Sequence, residues 1–235
     1  MKADQNDGWK RYLPLMIIGG VLLAAVVGAT LLLRSADTQT GKQNTNNAQD
    51  LWARAAPGAE PAHAHGEANA PVSLEEFGDY QCPPCANIHP VLKRIEKDYA
   101  GRVRIVFRNF PLEGTHKNAF LAARAAEAAG LQGKFWEMHD MIYEHQQEWA
   151  DLPQPRSTFA EYASRIGLDR ARFEADMNRT EVGARVGADM KRGLSLGVKS
   201  TPTIFLNGRE LPPDKSLVED KLRAEIDAAL AGKGR

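Results

Sequence analysis

The stretch Asp79–Pro90, DYQCPPCANIHP, contains both cysteines of the 235-residue chain. Cys82 and Cys85 are separated by two prolines, Pro83 and Pro84. A pair at this spacing can serve as part of a metal-binding site, as a static local disulfide or as a redox-active dithiol. Each of these uses needs a different surrounding sequence, so the residues around the pair decide the fold and the chemistry together.

Two of these uses find little support around the pair. A closed zinc site takes four ligands, and the chain has no second pair of cysteines. Covalent haem attachment needs histidine directly after the second cysteine, where this chain has Ala86. A disulfide across so small a loop would constrain the unfolded chain little. Metal binding by Cys82, Cys85 and His89, as in a copper chaperone, stays open as an alternative.

A redox dithiol fits the sequence better. Cys82 precedes a predicted helix, and Pro83 and Pro84 fall in its first turn, where the N–H groups have no partner within the helix. The positive end of the helix dipole would stabilise a thiolate at Cys82. That thiolate can form a mixed disulfide, which Cys85, one turn along, then resolves. No bound cofactor and no metal are expected, because the cysteines carry the electrons.

Hydrophobic periodicity predicts the order of elements around the pair. Strands are expected at Val72–Phe77 and Arg102–Phe110, with a helix between them that makes a right-handed crossover in a parallel sheet. The pattern is helical from about 111 to 200. Thr203–Leu206 and the Asn-Gly turn after it predict a hairpin, and a last helix follows. The order predicts an α/β layer with a large helical insertion.

Three segments resemble the DsbA-type thioredoxin-fold thiol:disulfide oxidoreductases, and among them the membrane-tethered DsbA/BdbD-like bacterial group. The segments are EEFGDYQCPPC (75–85), RNFPLEGTHKNAFLAARAAEAAGLQGKFWEMHD (108–140) and VKSTPTIFLNG (198–208). The resemblance covers about residues 71–231. It implies a thioredoxin-like fold in which the helical insertion lies between a βαβ unit and a cis-proline hairpin.

The resemblance also implies roles for residues at matching positions. Pro202 matches the cis-proline that lies beside the dithiol, and Thr201 would offer its backbone to a substrate strand. Glu76 matches a buried acid beneath the dithiol, which can exchange a proton with Cys85. Its neighbour Glu75 alternates to the opposite face and is expected to be exposed.

One position departs from the family pattern. The best-known DsbA enzymes have histidine directly before the second cysteine, where this chain has Pro84. Pro83 and Pro84 are therefore predicted to tune the redox potential and to leave Cys82 less acidic than in those enzymes. The resemblance implies oxidation of cysteine pairs in exported proteins, with re-oxidation by a quinone-linked membrane partner. A reductase or isomerase of the same fold is the alternative.

The N-terminal part predicts attachment to a membrane. Leu13–Leu33 is an uncharged run of 21 residues, and a helix of that length spans roughly 30 Å, about a bilayer core. The run is longer than the apolar region of a cleaved signal peptide, and Arg34 follows it at once. We therefore expect a transmembrane anchor. A small excess of basic residues in 1–12 predicts a cytoplasmic tail and an extracytoplasmic, periplasmic domain.

Between the anchor and the domain, residues 34–70 are polar or rich in alanine, proline and glycine. This composition predicts a flexible linker, which includes His63 and His65, ahead of a domain at residues 71–232. The chain has 30 Lys and Arg against 30 Asp and Glu. A neutral chain without a basic stripe argues against nucleic acid as a partner.

Overall fold

The computed structural model describes residues 50–232. These residues build a five-stranded mixed sheet with the strand order β1-β3-β2-β4-β5. The strands are β1 His63–His65, β2 Val72–Gly78, β3 Val103–Asn109, β4 Thr203–Leu206 and β5 Arg209–Glu210. Strands β2 and β3 are parallel, whereas β1, β4 and β5 pair antiparallel with their neighbours. Strand β2 therefore lies at the centre of the sheet.

Helix α1 provides the crossover from β2 to β3, and α2 to α7 occupy the long connection between β3 and β4. The helices are α1 Pro83–Asp98, α2 Ala119–Gly130, α3 Phe135–Glu144, α4 Gln146–Trp149, α5 Arg156–Arg165, α6 Arg170–Asp176, α7 Thr180–Ser195, α8 Pro213–Ser216 and α9 Glu219–Leu230. The connection occupies the region predicted as a helical insertion. Its alanine-rich α2 is almost wholly buried, because small side chains let neighbouring helices pack closely around it.

The two faces of the sheet have different cores because side chains alternate along each strand. On one face, Leu74 and Ile105 pack against Ile95 of α1 and Ile226 of α9. Burying a side chain of this size contributes about 1.5–3 kcal/mol. On the other face, Phe77 packs against aromatic neighbours in a separate cluster. The start of α1 therefore lies at the edge of the sheet, between the two core layers.

The prediction of a flexible linker over residues 34–70 is corrected for residues 55–65, most of which are at least partly buried against the domain. His63–His65 pairs with β3 as an edge strand. The N–H of Ala59 donates to Asp189 Oδ1 at 2.9 Å, and the carbonyl of Ala59 accepts from Arg108 at 2.7 Å. Side chains from distant parts of the sequence therefore form hydrogen bonds with the backbone of this segment. The local amino-acid composition does not predict these contacts.

The prediction that Glu75 is exposed is also wrong. Its carboxylate is buried and accepts hydrogen bonds from Arg108 Nε at 2.6 Å and from Arg192 Nε and Nη2 at 2.8 and 2.9 Å. Asp189 completes this buried ionic network through Arg108 Nη1, at 3.1 Å. Alternation correctly puts Glu75 on the face opposite Glu76. Helix α7 and residues 56–59 cover that face.

The predicted fold class included a transmembrane helix at Leu13–Leu33. That segment and the predicted tail at residues 1–12 lie outside the described residues. Within residues 50–232, no helix is both long enough and apolar enough to cross a bilayer. The fold class is corrected accordingly to a thioredoxin-like α/β fold with a mixed sheet, in which the predicted parallel pair, β2 and β3, is joined by three strands that pair antiparallel.

Candidate active site

The cysteine pair lies where the chain turns from the central strand into α1. Cys82 is the N-cap residue of α1, and Pro83 and Pro84 are the first helical residues. The N–H groups of Cys85 and Ala86 both donate to the Cys82 carbonyl, at 3.1 and 3.2 Å. The fixed φ of proline suits the first turn, so this sequence begins a helix directly after the first cysteine. Cys82 is thereby held at the positive end of the helix dipole.

The structure brings Cys82 next to Thr201 and Pro202, which are far away in sequence. The Cys82 thiol donates to the carbonyl of Thr201 at 3.3 Å, and the Thr201–Pro202 peptide bond is cis. A hydrogen bond from Cys85 lowers the pKa of Cys82 from its ordinary 9.0 to about 6, against burial and with a smaller contribution from the side chain of Thr201. At neutral pH, Cys82 is therefore mostly a thiolate.

Cys85 has the opposite character. It is fully buried, and burial raises its pKa well above the ordinary value, with a further contribution from its hydrogen bond to Cys82. The N–H of Asp79 donates to its sulfur at 3.5 Å. The two thiols thus differ strongly in acidity. The pair presents one nucleophile and one protonated partner, which is the division of labour that thiol–disulfide exchange needs.

Glu76 lies on the central strand β2, opposite Phe107 on β3 and Ile204 on β4. Its side chain is buried, and Oε1 has no hydrogen-bond partner. Burial, together with the charge on Cys82, raises the pKa of Glu76 to about 8. The carboxyl is therefore mostly protonated at neutral pH. The expectation of a buried acid near the dithiol agrees with this placement, and its role in proton transfer stays a prediction.

Asp79 is a site residue that the sequence reasoning missed. It is buried, and its carboxylate accepts hydrogen bonds from the N–H groups of Gln81 at 2.7 Å and Leu112 at 2.8 Å. It also pairs with His116 at 2.8 Å. These contacts hold the loop that carries the cysteines. The sequence signal that could have identified Asp79 is an aspartate between a predicted strand and a predicted helix. The side chain of such a residue often accepts a hydrogen bond from the backbone two residues further along the chain.

Gln146 on α4 was missed as well. Its side-chain amide donates to the carbonyls of Tyr80 and Cys82, at 2.8 and 3.1 Å. These bonds tie the insertion to the loop before α1. No local pattern marks this glutamine, because its partners lie more than sixty residues away in the sequence.

His89 does not join the cysteines. It is buried between α1 and α3, and its Nε2 lies 3.3 Å from Asp140 Oδ1. Across residues 50–232, the group of potential metal ligands that contains His89 comprises His139 and Asp140 and excludes both cysteines. The alternative of a metal site built from Cys82, Cys85 and His89 is therefore not supported by the geometry.

Comparison with known proteins identifies the family of this chain. The family model described as Thioredoxin matches residues 59–228. The chain belongs to the thioredoxin family. Within it, the chain is 32% identical over 174 residues to the probable disulfide bond formation protein D of Bacillus cereus, covering 70% of this chain and 77% of that protein.

Solved structures of thioredoxin-family proteins share the fold. BdbD from Bacillus subtilis, in its oxidised form, superposes with a TM-score of 0.66 at 24% identity, over 76% of this chain and 99% of that one. A thioredoxin-like oxidoreductase from Silicibacter pomeroyi gives a TM-score of 0.60 at 27% identity, over 73% and 94%. The predicted resemblance to the DsbA/BdbD group is confirmed.

Other curated relatives carry a different name. The Na(+)/H(+) antiporter NhaA 1 of Salinispora arenicola is 37% identical over 172 residues, which is 72% of this chain and 25% of the antiporter. The chain thus spans about a quarter of the length of this relative. The similarity is confined to that quarter of the antiporter. The name describes the antiporter as a whole, so it assigns no ion transport to this chain.

Proposed function

We propose that Cys82 and Cys85 are the redox-active pair of this oxidoreductase and that they exchange disulfides with cysteine-containing exported proteins. One observation carries the proposal. The thiol with a pKa of about 6 lies against the backbone of a cis-proline loop, beside a buried thiol whose pKa is raised. The exchange takes place outside the cytoplasm, where protein disulfides persist.

The proposed direction is oxidation of the substrate. A substrate thiolate attacks Sγ of Cys82 in the Cys82–Cys85 disulfide, so that a mixed disulfide forms and Cys85 leaves with the electron pair. A second substrate thiolate then attacks the substrate sulfur of the mixed disulfide. Cys82 leaves as a thiolate, the substrate gains a disulfide, and the enzyme ends as the dithiol. The low pKa of Cys82 favours this second step, because acidic thiols leave faster.

Glu76 supplies the proton that Cys85 needs in the first step. Cys85 leaves as a thiolate in a buried place, where its raised pKa makes the charged form unfavourable. Glu76 is protonated at neutral pH, with a pKa of about 8, and can donate its proton through the buried space. When the dithiol is re-oxidised, the proton returns to the carboxylate.

Thr201 and Pro202 form the substrate-binding edge of the proposed site. The Thr201 carbonyl lies 3.3 Å from Sγ of Cys82, so a chain aligned beside this loop would bring its sulfur to Cys82. Backbone pairing of this kind recognises an extended segment of any sequence. It suits an enzyme that acts on many exported proteins. A quinone-linked membrane protein is the proposed partner for re-oxidation.

The redox potential tests the direction. A pKa of about 6 for Cys82 lies between the values of about 7 in thioredoxin and about 3.5 in DsbA. We expect a potential between about −270 mV, the value of thioredoxin, and about −120 mV, the value of DsbA. Equilibration with glutathione buffers measures it. A value at or below that of thioredoxin would overturn the oxidising direction and favour a reductase.

Trapping tests the assignment of the two cysteines. With Cys85→Ser, the mixed disulfide between Cys82 and a substrate protein that carries a disulfide should accumulate, because the Cys82 thiolate attacks that disulfide and the Cys85 thiol that would release the adduct is missing. With Cys82→Ser, no such adduct should form, and oxidation of the substrate should stop. Adducts at position 85 in the Cys82→Ser protein would contradict the assignment.

A further inference from the structure

A second cluster of titratable side chains lies between α1 and α3. It consists of His89 on α1 and His139 and Asp140 on α3, and their potential ligand atoms all lie within 4.8 Å of one another. The three residues line a cavity of about 50 Å³, which Glu76 and Lys93 also line. The space exceeds the roughly 10–15 Å³ that one water molecule requires.

One atom of the cluster lacks a partner. His89 is 5% exposed, and its Nε2 makes no hydrogen bond although it lies 3.3 Å from Asp140 Oδ1. A buried polar atom without a partner is rare and costs on the order of 1–3 kcal/mol. Because His89 lines the cavity, this nitrogen is available to a ligand there.

We propose that His89, His139 and Asp140 bind a divalent transition-metal ion, with Zn²⁺ as the best fit. Two imidazoles and a carboxylate are zinc ligands, with bonds of about 2.0–2.2 Å, so neighbouring ligand atoms of a tetrahedral site lie about 3.3 Å apart. The distance from His89 Nε2 to Asp140 Oδ1 has this value. His139 offers the third ligand atom, within 4.8 Å of the other two, and water would take the fourth position.

The surroundings of His139 support its role as a ligand. Its Nδ1 lies 2.9 Å from the hydroxyl of Tyr80, which leaves Nε2 for the metal. Metal-binding histidines usually have such an outer hydrogen bond, because it fixes the orientation of the ring. The same ring is fixed by edge contacts with Phe107 and Trp136.

Lys93 competes for the same carboxylate. Its Nζ lies 2.7 Å from Asp140 Oδ2, on the side away from His89. Oδ1 therefore stays available, but the ammonium charge repels a cation. Removing this charge should tighten metal binding, whereas a purely structural cluster would show no such gain.

Titration of the full chain with Zn²⁺, in competition with a chromogenic chelator, tests the proposal. The Cys82→Ser/Cys85→Ser background removes the thiols as zinc ligands and makes the result independent of the proposed redox function. We expect one zinc ion per chain and a rise in melting temperature on binding. Asp140→Asn and His89→Gln should weaken binding by at least about tenfold, the low end of what even outer-shell changes cost.

Two further variants sharpen the result. Lys93→Gln should bind zinc several-fold more tightly, and His145→Gln, a histidine outside the cluster, should bind as the parent does. Absence of stoichiometric zinc in the parent would overturn the proposal, as would equal affinity in Asp140→Asn. If circular dichroism shows that His89→Gln does not fold, Asp140→Asn and Lys93→Gln provide the test of the proposal. The side chains of Asp140 and Lys93 are partly exposed, so these substitutions should leave the fold intact.

Discussion

The acidity of Cys82 depends more on Cys85 than on any other residue. A hydrogen bond from Cys85 is the largest contribution to the lowered pKa, followed among the favourable ones by Thr201. Burial works against both. The helix dipole alone, which Pro83 and Pro84 help to position, would therefore leave Cys82 less acidic than it is.

Replacing Cys85 tests this reasoning. In Cys85→Ala the donor is lost, and the pKa of Cys82 should rise from about 6 toward its ordinary 9.0. Cys85→Ser is the matched control, since its hydroxyl keeps a donor at the same place and should retain most of the lowering. The pH dependence of alkylation by iodoacetamide measures both. An unchanged midpoint in Cys85→Ala would contradict the assignment.

The raised pKa of Glu76 leads to a second prediction, which concerns how the stability of the fold depends on pH. Its folded-state pKa of about 8 lies above the ordinary 4.5, so the folded protein holds a proton that the unfolded chain releases. The stability that this group contributes is complete below pH 4.5 and is lost as the pH rises through about 8. The full difference is about 5 kcal/mol, at about 1.4 kcal/mol for each pH unit.

Glu76→Gln removes this dependence with little change in shape. Relative to the reduced wild type, the variant should gain stability steadily between pH 4.5 and 8, as urea unfolding at several pH values would measure. Glu161→Gln, at an exposed position on α5, controls for loss of a carboxylate as such. A stability difference that stays constant over this range would contradict a raised pKa.

At the scale of elements, the beginning of α1 is where the proposed redox chemistry can be tuned. Pro83 and Pro84 are exposed and fill the first turn, so a side chain placed there can face the sulfur of Cys82 without disturbing the core. Neither proline offers a charge or a donor to the thiolate. The first turn is therefore a place where the potential can be changed while the fold stays the same.

Pro84→His should make the enzyme more oxidising. An imidazolium near the thiolate would lower the pKa of Cys82 below about 6, and the potential should rise by about 30 mV for each pH unit that the pKa falls. Pro84→Gln is the uncharged control. Glutathione equilibria of both variants measure the effect. A potential that rises equally in Pro84→Gln would show that loss of proline, and no charge effect, is responsible.

The periodicity of the sequence predicts β2, α1, β3 and the β4 hairpin well, because each has an apolar face with its own period. It does not predict β1. His63–His65 is a short segment in a stretch rich in alanine and proline, and it becomes a strand only because β3 offers an unpaired edge. Edge pairing of this kind depends on a partner about forty residues away.

At the scale of the whole molecule, the buried ionic network joins three parts of the chain. Arg108 on β3 contacts Glu75 on β2, Asp189 on α7 and the backbone of Ala59. The network lies beside the apolar cluster of Phe77 and Phe110, against which α7 packs at Gly193. Breaking a buried ion pair by removing one partner leaves an uncompensated charge, which costs about 3–5 kcal/mol.

Arg108→Met should therefore lower the free energy of unfolding by about 3–5 kcal/mol and detach residues 56–59 from the domain. Urea denaturation measures the first effect, and protease susceptibility near these residues measures the second. Arg170→Met is the control, because Arg170 forms an exposed pair with Glu174 at 2.9 Å and should change stability by less than about 1 kcal/mol. Equal effects of the two substitutions would contradict the importance of the network.

The sequence by itself predicted a reactive cysteine pair and the order of the main elements around it. Cys82, Cys85 and the proline turn are local features, and spacing along one chain is enough to find them. The family motif added Glu76, Thr201 and the cis-proline, and the structure brings these residues close to the cysteine pair.

Only the tertiary structure decided how these groups behave. The split in pKa between Cys82 and Cys85, the burial of Glu75 and the neighbours of His89 all depend on contacts between distant parts of the chain. Desolvation and charge pairing act through space, and local periodicity does not record them. For this reason the sequence identified the reactive groups, while packing set their acidity and their partners.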